Sequence, residues 1–399
     1  MSGAALLEDG PRVLSIYEGF FSGGARVLHT SLVRGLEATT GQRHSALGLT
    51  NRSRREATRQ SARNDPSYRR LRAAGVPVTL LRRTTEQPLS DHHLSSLRRL
   101  VSAADLVLTL KEQPLAALVR AGSAGRPVIT CLHRSDPQHQ GRSLADLVSL
   151  VDQGIVIQAV CCAHSTQAAY HAATGIPLAQ LPVVPNGVDL RRFRPSASDR
   201  AEVRSELGVE GDAPVVMLSA RFDPMKDVPL FLSASAVFAR TRRDAHVVLC
   251  GAGMSHANPA LTALLADTLG AWDAADSRVH LLGIREDMPR LYNGADVVAL
   301  SSAYGEAAPL SLLEGMACGA VPVTTDVGDA ADIVADPRLV VGRDPKEMAE
   351  AWVAAFEQRD EHAQRIQRHR QRLSDQRCFD AYAALIAAHT EPGRLGVAV

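Results

Sequence analysis

No window of this sequence approaches the ~20 consecutive apolar residues that a membrane-crossing helix needs, which excludes a helical membrane span. Charge of one sign is missing too: 44 basic residues stand against 43 acidic ones, a formal charge of +1. The chain as a whole has no bulk attraction for nucleic acid or an anionic membrane, so any such attraction must be local. Lysine is scarce, with only Lys111, Lys226 and Lys346 among many arginines. That reads as a coding bias, and no mechanism follows from it. The six cysteines, Cys131, Cys161, Cys162, Cys250, Cys318 and Cys378, lack metal-ligand spacing, and several sit in apolar runs such as VITCL and VVLC. They read as reduced core residues of an intracellular protein. The opening MSGAALLEDGPR carries acidic residues and no long apolar stretch, unlike a secretion signal, so a cytoplasmic location is expected. Low-complexity tracts and short internal repeats are absent as well.

What is present is length and alternation. A chain of 399 residues suggests two domains at about 100 to 200 residues each. Short apolar runs alternate with longer helical patterns: RVLSIY from Arg12, VPVTLL from Val76, DLVLTL from Asp105, PVITCL from Pro127 and IQAVCC from Ile157. A second series follows, with PVVMLSA from Pro214, AHVVLC from Ala245, RVHLLG from Arg278, ADVVALS from Ala295 and AVPVTT from Ala320. Near-continuous apolar strands separated by helices are the pattern of parallel sheets covered on both faces. The expected fold class is therefore α/β, with two doubly wound, Rossmann-like domains and a ligand cleft between them, at the carboxyl ends of the strands. The hinge is placed near residues 186–212, in PNGVDLRRFRPSASDR. The expected division is 1–190 for the first domain, 191–372 for the second, and 373–399 for a terminal helix packing back on the first.

The most informative segment is AYGEAAPLSLLEGMACGAVPVTTDVGD, from Ala303 to Asp329. It places Glu306 in a loop, Pro309 as a first helical residue, and Glu314 along the helix, off the core-facing stripe of Leu313, Met316 and Ala317. Free amides near Ala307, Ala308, Pro309 and Leu310 form an anion site suited to a diphosphate. The two glutamates can then accept hydrogen bonds from neutral hydroxyls on either side. In SARFDPMKD, just after PVVMLSA, Arg221 and Lys226 are five residues apart and can reach one anion. Gly23 and Gly24 open a helix after the first strand, where backbone can approach a ligand closely.

With these motifs the sequence resembles the retaining glycosyltransferases of GT-B architecture, in the family-four branch (glycosyl transferases group 1), over nearly the whole chain. The resemblance implies that Glu306 holds hydroxyls of the transferred sugar, Glu314 the ribose, and Arg221 and Lys226 the leaving diphosphate. It gives Gly23 and Gly24 to the donor's phosphate or sugar, leaving Arg26 uncommitted. His133, in VITCLHRSDP, would lie near the sugar and reach the acceptor, with Arg134 and Asp136 as alternates. Base contacts would fall near Gly251 to Gly253 and Gly283 to Arg285. Two departures stand out: Ala307 and Ala308 replace the usual glycine and aromatic, and Ala252 stands between Gly251 and Gly253 in place of an acidic residue. PNGVDLRRF matches the family's interdomain signature and reads as hinge structure.

The function implied is sugar transfer from a nucleotide diphosphate sugar, a uridine one by default, to an acceptor hydroxyl with retention of configuration. No cofactor and no metal are expected, since no paired-aspartate motif is present. The acceptor is a small molecule, a glycan or a lipid-linked compound. Competing readings are a sugar-nucleotide epimerase, a phosphorylase, or a non-catalytic sugar-nucleotide-binding protein. One further feature is local: residues 51–100 hold twelve arginines, Arg54, Arg55 and Arg59 among them, against Glu56, Asp65, Glu86 and Asp91. This surplus of about +8 reads first as a solvated face, and second as a surface for a phosphate-bearing acceptor or membrane. Without interleaved aromatics it does not favour nucleic acid.

Overall fold

The computed structural model describes residues 10–21, 23–55, 58–269 and 278–390, and of residues 53–55, 58 and 59 the backbone alone. The first nine residues, Glu56, the last nine residues and the side chains of Arg54, Arg55 and Arg59 lie outside this description. The chain divides into two units, Met1–Pro185 with Gln376–Val399, and Asn186–Asp375.

The first unit is built on a six-stranded parallel sheet. Its strands are β1 (Arg12–Tyr17), β2 (Arg43–Gly48), β5 (Val78–Leu80), β6 (Leu106–Leu110), β7 (Val128–Leu132) and β8 (Val156–Cys161), in the order β5-β2-β1-β6-β7-β8. The central strands β6 and β7 are buried at every residue, while edge strand β5 is half-buried. This explains why their sequences are continuous apolar runs rather than alternating ones. β2, Arg43–Gly48, lacks that signature because it carries Arg43, His44 and Ser45; His44 is nonetheless buried and bonded to Gln42 Oε1 at 3.0 Å. Between β2 and β5 lies an antiparallel hairpin, β3 (Arg52–Arg55) and β4 (Thr58–Ser61), with Arg54 paired to Arg59 in register. The terminal helix Gln376–Thr390 completes this unit: Phe379, Tyr382 and Ile386 share a core cluster with Val13, Leu32, Leu36 and Leu106.

The second unit repeats the plan. Its strands are β9 (Val215–Ser219), β10 (His246–Cys250), β11 (Val279–Gly283), β12 (Val297–Leu300), β13 (Val321–Thr325) and β14 (Val340–Val341), in the order β11-β10-β9-β12-β13-β14. Its core gathers the sheet with Trp352, against which Phe231 and Phe238 pack at ring-centroid distances of 5.3 and 5.7 Å. Numbered within itself, each sheet runs 3-2-1-4-5-6, the Rossmann order. Strand order therefore reverses between β1 and β6 in one sheet and between β9 and β12 in the other. At such a switch point the two following loops diverge and leave room for a ligand at the carboxyl ends of the strands.

Candidate active site

In the second unit the loops after β9 and β12 both start at the switch point, and hydrogen bonds bind them into one structure. Ser301 Oγ donates to the Lys226 carbonyl at 2.8 Å, and the Ala303 amide donates to the Met225 carbonyl at 2.8 Å. Asp223 caps the short turn Pro224–Lys226 through the Met225 amide at 3.0 Å. Asp227, at a left-handed φ of 44°, then caps helix Val228–Thr241 through the Leu230 amide at 3.2 Å. Held between these turns, Lys226 forms an ion pair with Glu306, and both side chains are largely buried. The same Glu306 oxygen accepts from Ser302 Oγ at 2.6 Å.

The backbone around Glu306 is fixed from three directions. Asn186 Nδ2 donates to the Ala308 carbonyl at 3.0 Å, and the Asp329 amide donates to the Ala307 carbonyl at 2.8 Å. Gly328, at φ 63°, approaches so closely that a Cβ would lie 2.4 Å from the Glu306 carbonyl oxygen. Asn186 is thus more than the hinge turn-former expected from sequence, because its side chain supports the glutamate loop.

The helix after this loop is Leu310–Cys318, one residue later than expected. Pro309 is its N-cap, with ψ 119° rather than a helical value, and it brings no N–H. No side chain caps this helix start and no acidic residue occupies the first turn. Its first amides, from Leu310 onward, therefore keep their donors for an anion. Gly315 lets the helix lie against β12, since a Cβ there would meet Val298 Cγ1 at 2.6 Å. Leu313, Met316 and Ala317 are buried, and Glu314 is half-buried on the flank. Close to Glu314 are Tyr292 and Cys318. Burial and then the Glu314 charge push the Tyr292 phenol far up and the Cys318 thiol to about 12.

Arg221 is half-exposed and pairs with Asp223 at 3.4 Å. The glycines after β10 serve this loop first. A Cβ on Gly251 would lie 2.0 Å from the Ala220 carbonyl oxygen, and one on Gly253 would lie 2.8 Å from Phe222 Cβ. The Gly251 amide donates to the Gly283 carbonyl at 2.7 Å, tying in the loop after β11. There Arg285 donates two hydrogen bonds to the Asp287 carboxylate at 2.8 and 2.6 Å, and Ile284 stands 61% exposed. Ser302 and Tyr292 are site neighbours that carried no signal in the sequence, because an isolated serine in a loop or tyrosine in a helix is unremarked there.

The other candidates, Gly23, Gly24 and His133, belong to the first unit. Gly23 is the N-cap of helix Gly24–Thr39, without a side-chain cap. Arg26 is buried, donates to the Gly19 carbonyl at 2.8 Å, pairs with Glu18 at 3.4 Å and lies over the Phe21 ring at 3.2 Å. It holds the loop after β1 together. His133 follows β7 directly, and burial, then Lys111 and His29, lower its pKa to about 3. Its imidazole is neutral at physiological pH. Among the described residues no group of three or more His, Cys, Asp or Glu could hold a metal ion. Among the same residues no helix is long and apolar enough to cross a membrane.

Comparison with known proteins finds a family match in the second unit. Residues 199–372 match the family model for glycosyl transferases group 1. D-inositol 3-phosphate glycosyltransferase of Geodermatophilus obscurus is 35% identical over 219 residues, covering 52% of this chain and 46% of that protein. The same-named protein of Mycobacterium marinum is 34% identical over 186 residues, 45% of this chain and 37% of that one. The chain thus spans about half the length of the curated relatives it matches. Among solved structures, Anabaena Alr3699/HepE in complex with UDP and glucose superposes with a TM-score of 0.78 at 19% identity, covering 95% of this chain and 100% of that one. A sucrose-phosphate synthase from Thermosynechococcus elongatus gives a TM-score of 0.66 at 17% identity, over 95% and 100% of the two chains. Residues 199–372, in the second unit, thus carry the match to glycosyl transferases group 1, and the fold is that of the GT-B neighbours.

Proposed function

We propose that the protein is a glycosyltransferase that moves a sugar from a UDP-sugar to an acceptor hydroxyl, with retention of configuration and without a divalent metal, in the cytoplasm. The observation that carries this reading is the cluster of Lys226, Glu306 and Ser302 at the switch point beside an uncapped helix start. It sets one cation, one carboxylate and free amides around a single place. The relatives named D-inositol 3-phosphate glycosyltransferase and the structural neighbour solved with UDP and glucose support it.

In this reading Arg221, Lys226 and the amides from Leu310 onward hold the diphosphate. Glu306 accepts hydrogen bonds from sugar hydroxyls, and Glu314 accepts them from the ribose. The bond between the sugar's anomeric carbon and the phosphate oxygen breaks as the acceptor oxygen bonds to that carbon from the same face. The acceptor's proton passes to the departing phosphate oxygen, so UDP and glycoside are the products. Negative charge grows on the diphosphate, and fixed donors in a partly buried site stabilise it more than water would. His133, neutral, keeps the role beside the sugar that the resemblance implies, as a hydrogen-bonding group rather than a cation.

The test is incubation with UDP-glucose and candidate acceptors in the presence of a chelator. Stoichiometric UDP and glycoside are expected, with the anomeric configuration of the donor retained by proton NMR. Strict dependence on added divalent metal, or sugar-nucleotide interconversion without transfer, would overturn the proposal.

A further inference from the structure

The ion pair of Lys226 with Glu306 is supported from both sides, and both supports lead to the end of β13. On the glutamate side, Thr325, the last residue of β13 and 1% exposed, donates its hydroxyl to the Ser302 carbonyl at 2.7 Å, and Ser302 bonds to the Glu306 carboxylate. On the lysine side the support runs through β14, in which Val341 pairs with that same Thr325. Two residues further on, Arg343 donates from Nε at 3.2 Å and from Nη2 at 2.6 Å to one carboxylate oxygen of Asp227, the residue after Lys226. The contact spans 116 residues.

Asp227 stands where such a contact has leverage. Its φ of 44° is left-handed, which costs free energy for a residue with a Cβ, although aspartate bears it better than most. A strained residue persists where its surroundings over-determine it, and here both carboxylate oxygens are engaged: Oδ1 accepts from the Leu230 amide at 3.2 Å and Oδ2 from Arg343. The left-handed step turns the chain from Pro224–Lys226 into helix Val228–Thr241, so it fixes the Lys226 carbonyl against Ser301 Oγ and with it the start of the lysine side chain. Arg343 is anchored on both sides, by the β14 pairing before it and by Asp344 after it, which caps helix Pro345–Glu357 through the Lys346 and Glu347 amides at 2.9 Å each. The Arg343 side chain is 57% exposed, so its ion pair adds little to the stability of the fold. Its leverage is on the backbone step beside Lys226.

We infer that Asp227 and Arg343 are positioning residues for Lys226: their two-pronged contact holds the left-handed step, and the step holds the ammonium at the place of the diphosphate. The inference rests on the proposed role of Lys226 toward that diphosphate. It adds the loop after β14 to the elements that set donor affinity and turnover, through a residue that acts on Lys226 and not on the donor. An ammonium displaced by even 1 Å loses more in the transition state than in the bound ground state, because charge on the leaving diphosphate is greatest there. Turnover is therefore the more sensitive of the two readouts.

The test is a double-variant cycle in the full chain, read by calorimetry with UDP and by initial rates with UDP-glucose. Arg343→Ala should weaken UDP binding about three- to tenfold and lower turnover about tenfold or more, while the melting temperature stays within about 2 °C of the parent. Arg343→Lys should recover part of the loss, since the charge remains and the fork is gone. Asp227→Asn keeps an acceptor for the Leu230 amide and tolerates the left-handed step, so it should match Arg343→Ala. In a Lys226→Ala background, Arg343→Ala should change UDP affinity and residual turnover by less than about twofold, because no ammonium is left to place. Equal losses from Arg343→Ala with and without Lys226 would overturn the inference, and so would parental UDP affinity and turnover in Arg343→Ala. Parental UDP affinity in Lys226→Ala would strike the diphosphate reading and the positioning with it, an outcome distinct from a lysine that matters beside an arginine that does not. The calorimetric cycle needs no turnover, so it decides the matter even for a chain that transferred no sugar.

Discussion

Lys226 and Glu306, separated by 80 residues, are joined in one ion pair whose carboxylate is also bonded to Ser302. Both partners of that pair are also proposed ligand groups, so the unliganded chain already holds the cation and the carboxylate at working separation. Diphosphate binding then shares Lys226 rather than recruiting it from solvent, which lowers the ordering cost of the complex. Lys226→Ala is expected to lower turnover by ~10² or more, and Arg221→Lys to recover only part of the Arg221→Ala loss, because the fork geometry is gone. Initial rates with UDP-glucose check both; parental activity in Lys226→Ala would remove the assignment.

Removing only one partner of this pair leaves a largely buried charge uncompensated. In thermal unfolding, the double variant Glu306→Ala with Lys226→Ala should cost less than the sum of the two single variants. Strict additivity of the two would show that the pair contributes nothing to the fold.

Glu314 lies on the flank of helix Leu310–Cys318 with Tyr292 and Cys318 as neighbours. Glu314→Ala should weaken UDP binding by about 1.5 to 3 kcal/mol, the worth of hydrogen bonds to a charged group. Calorimetry with UDP checks this, and an unchanged affinity excludes a ribose contact.

Gly328 presses on the Glu306 carbonyl at a positive φ. Gly328→Ala must displace the glutamate loop, while the sheet behind it has no reason to change. Turnover should fall at least tenfold with the far-ultraviolet circular dichroism of the parent retained, and turnover within twofold of parental would show that the loop position does not matter.

Several histidines are held neutral by burial: His29 and His133 at about 3, His44 and His280 at about 4. All lie below the unfolded value of about 6.5, so the unfolded chain takes up protons first. The stability this represents is whole above about pH 6.5 and is lost as pH falls toward 4 and 3. Asp336, held down to about 2 chiefly by Arg338 and Arg365 against its own burial, loses its share only below about pH 4. Melting temperature should therefore be flat from pH 8 to 7 and fall between 6.5 and 4.5; a flat profile down to pH 5 would contradict the histidine assignment.

The sequence by itself determined the α/β class, the two series of buried strands and the spacing of Glu306 from Glu314, because apolar runs and helix periodicity are local properties written in neighbouring residues. It did not reveal β2, whose polar residues are buried by partners elsewhere, nor the hairpin β3–β4, whose arginines read only as charge. Tertiary structure decided what each site residue touches. Ser302 reaches Glu306 over four residues, but Lys226 reaches it over 80 and Asn186 supports Ala308 over 122. These meetings exist because strand order reverses between β9 and β12, and pairing between distant strands has no local signature. Lys111 shows the same limit in the first unit: its rarity is visible in the sequence, but not its left-handed backbone, nor that the neighbouring Glu112 bonds to Tyr170, 58 residues away.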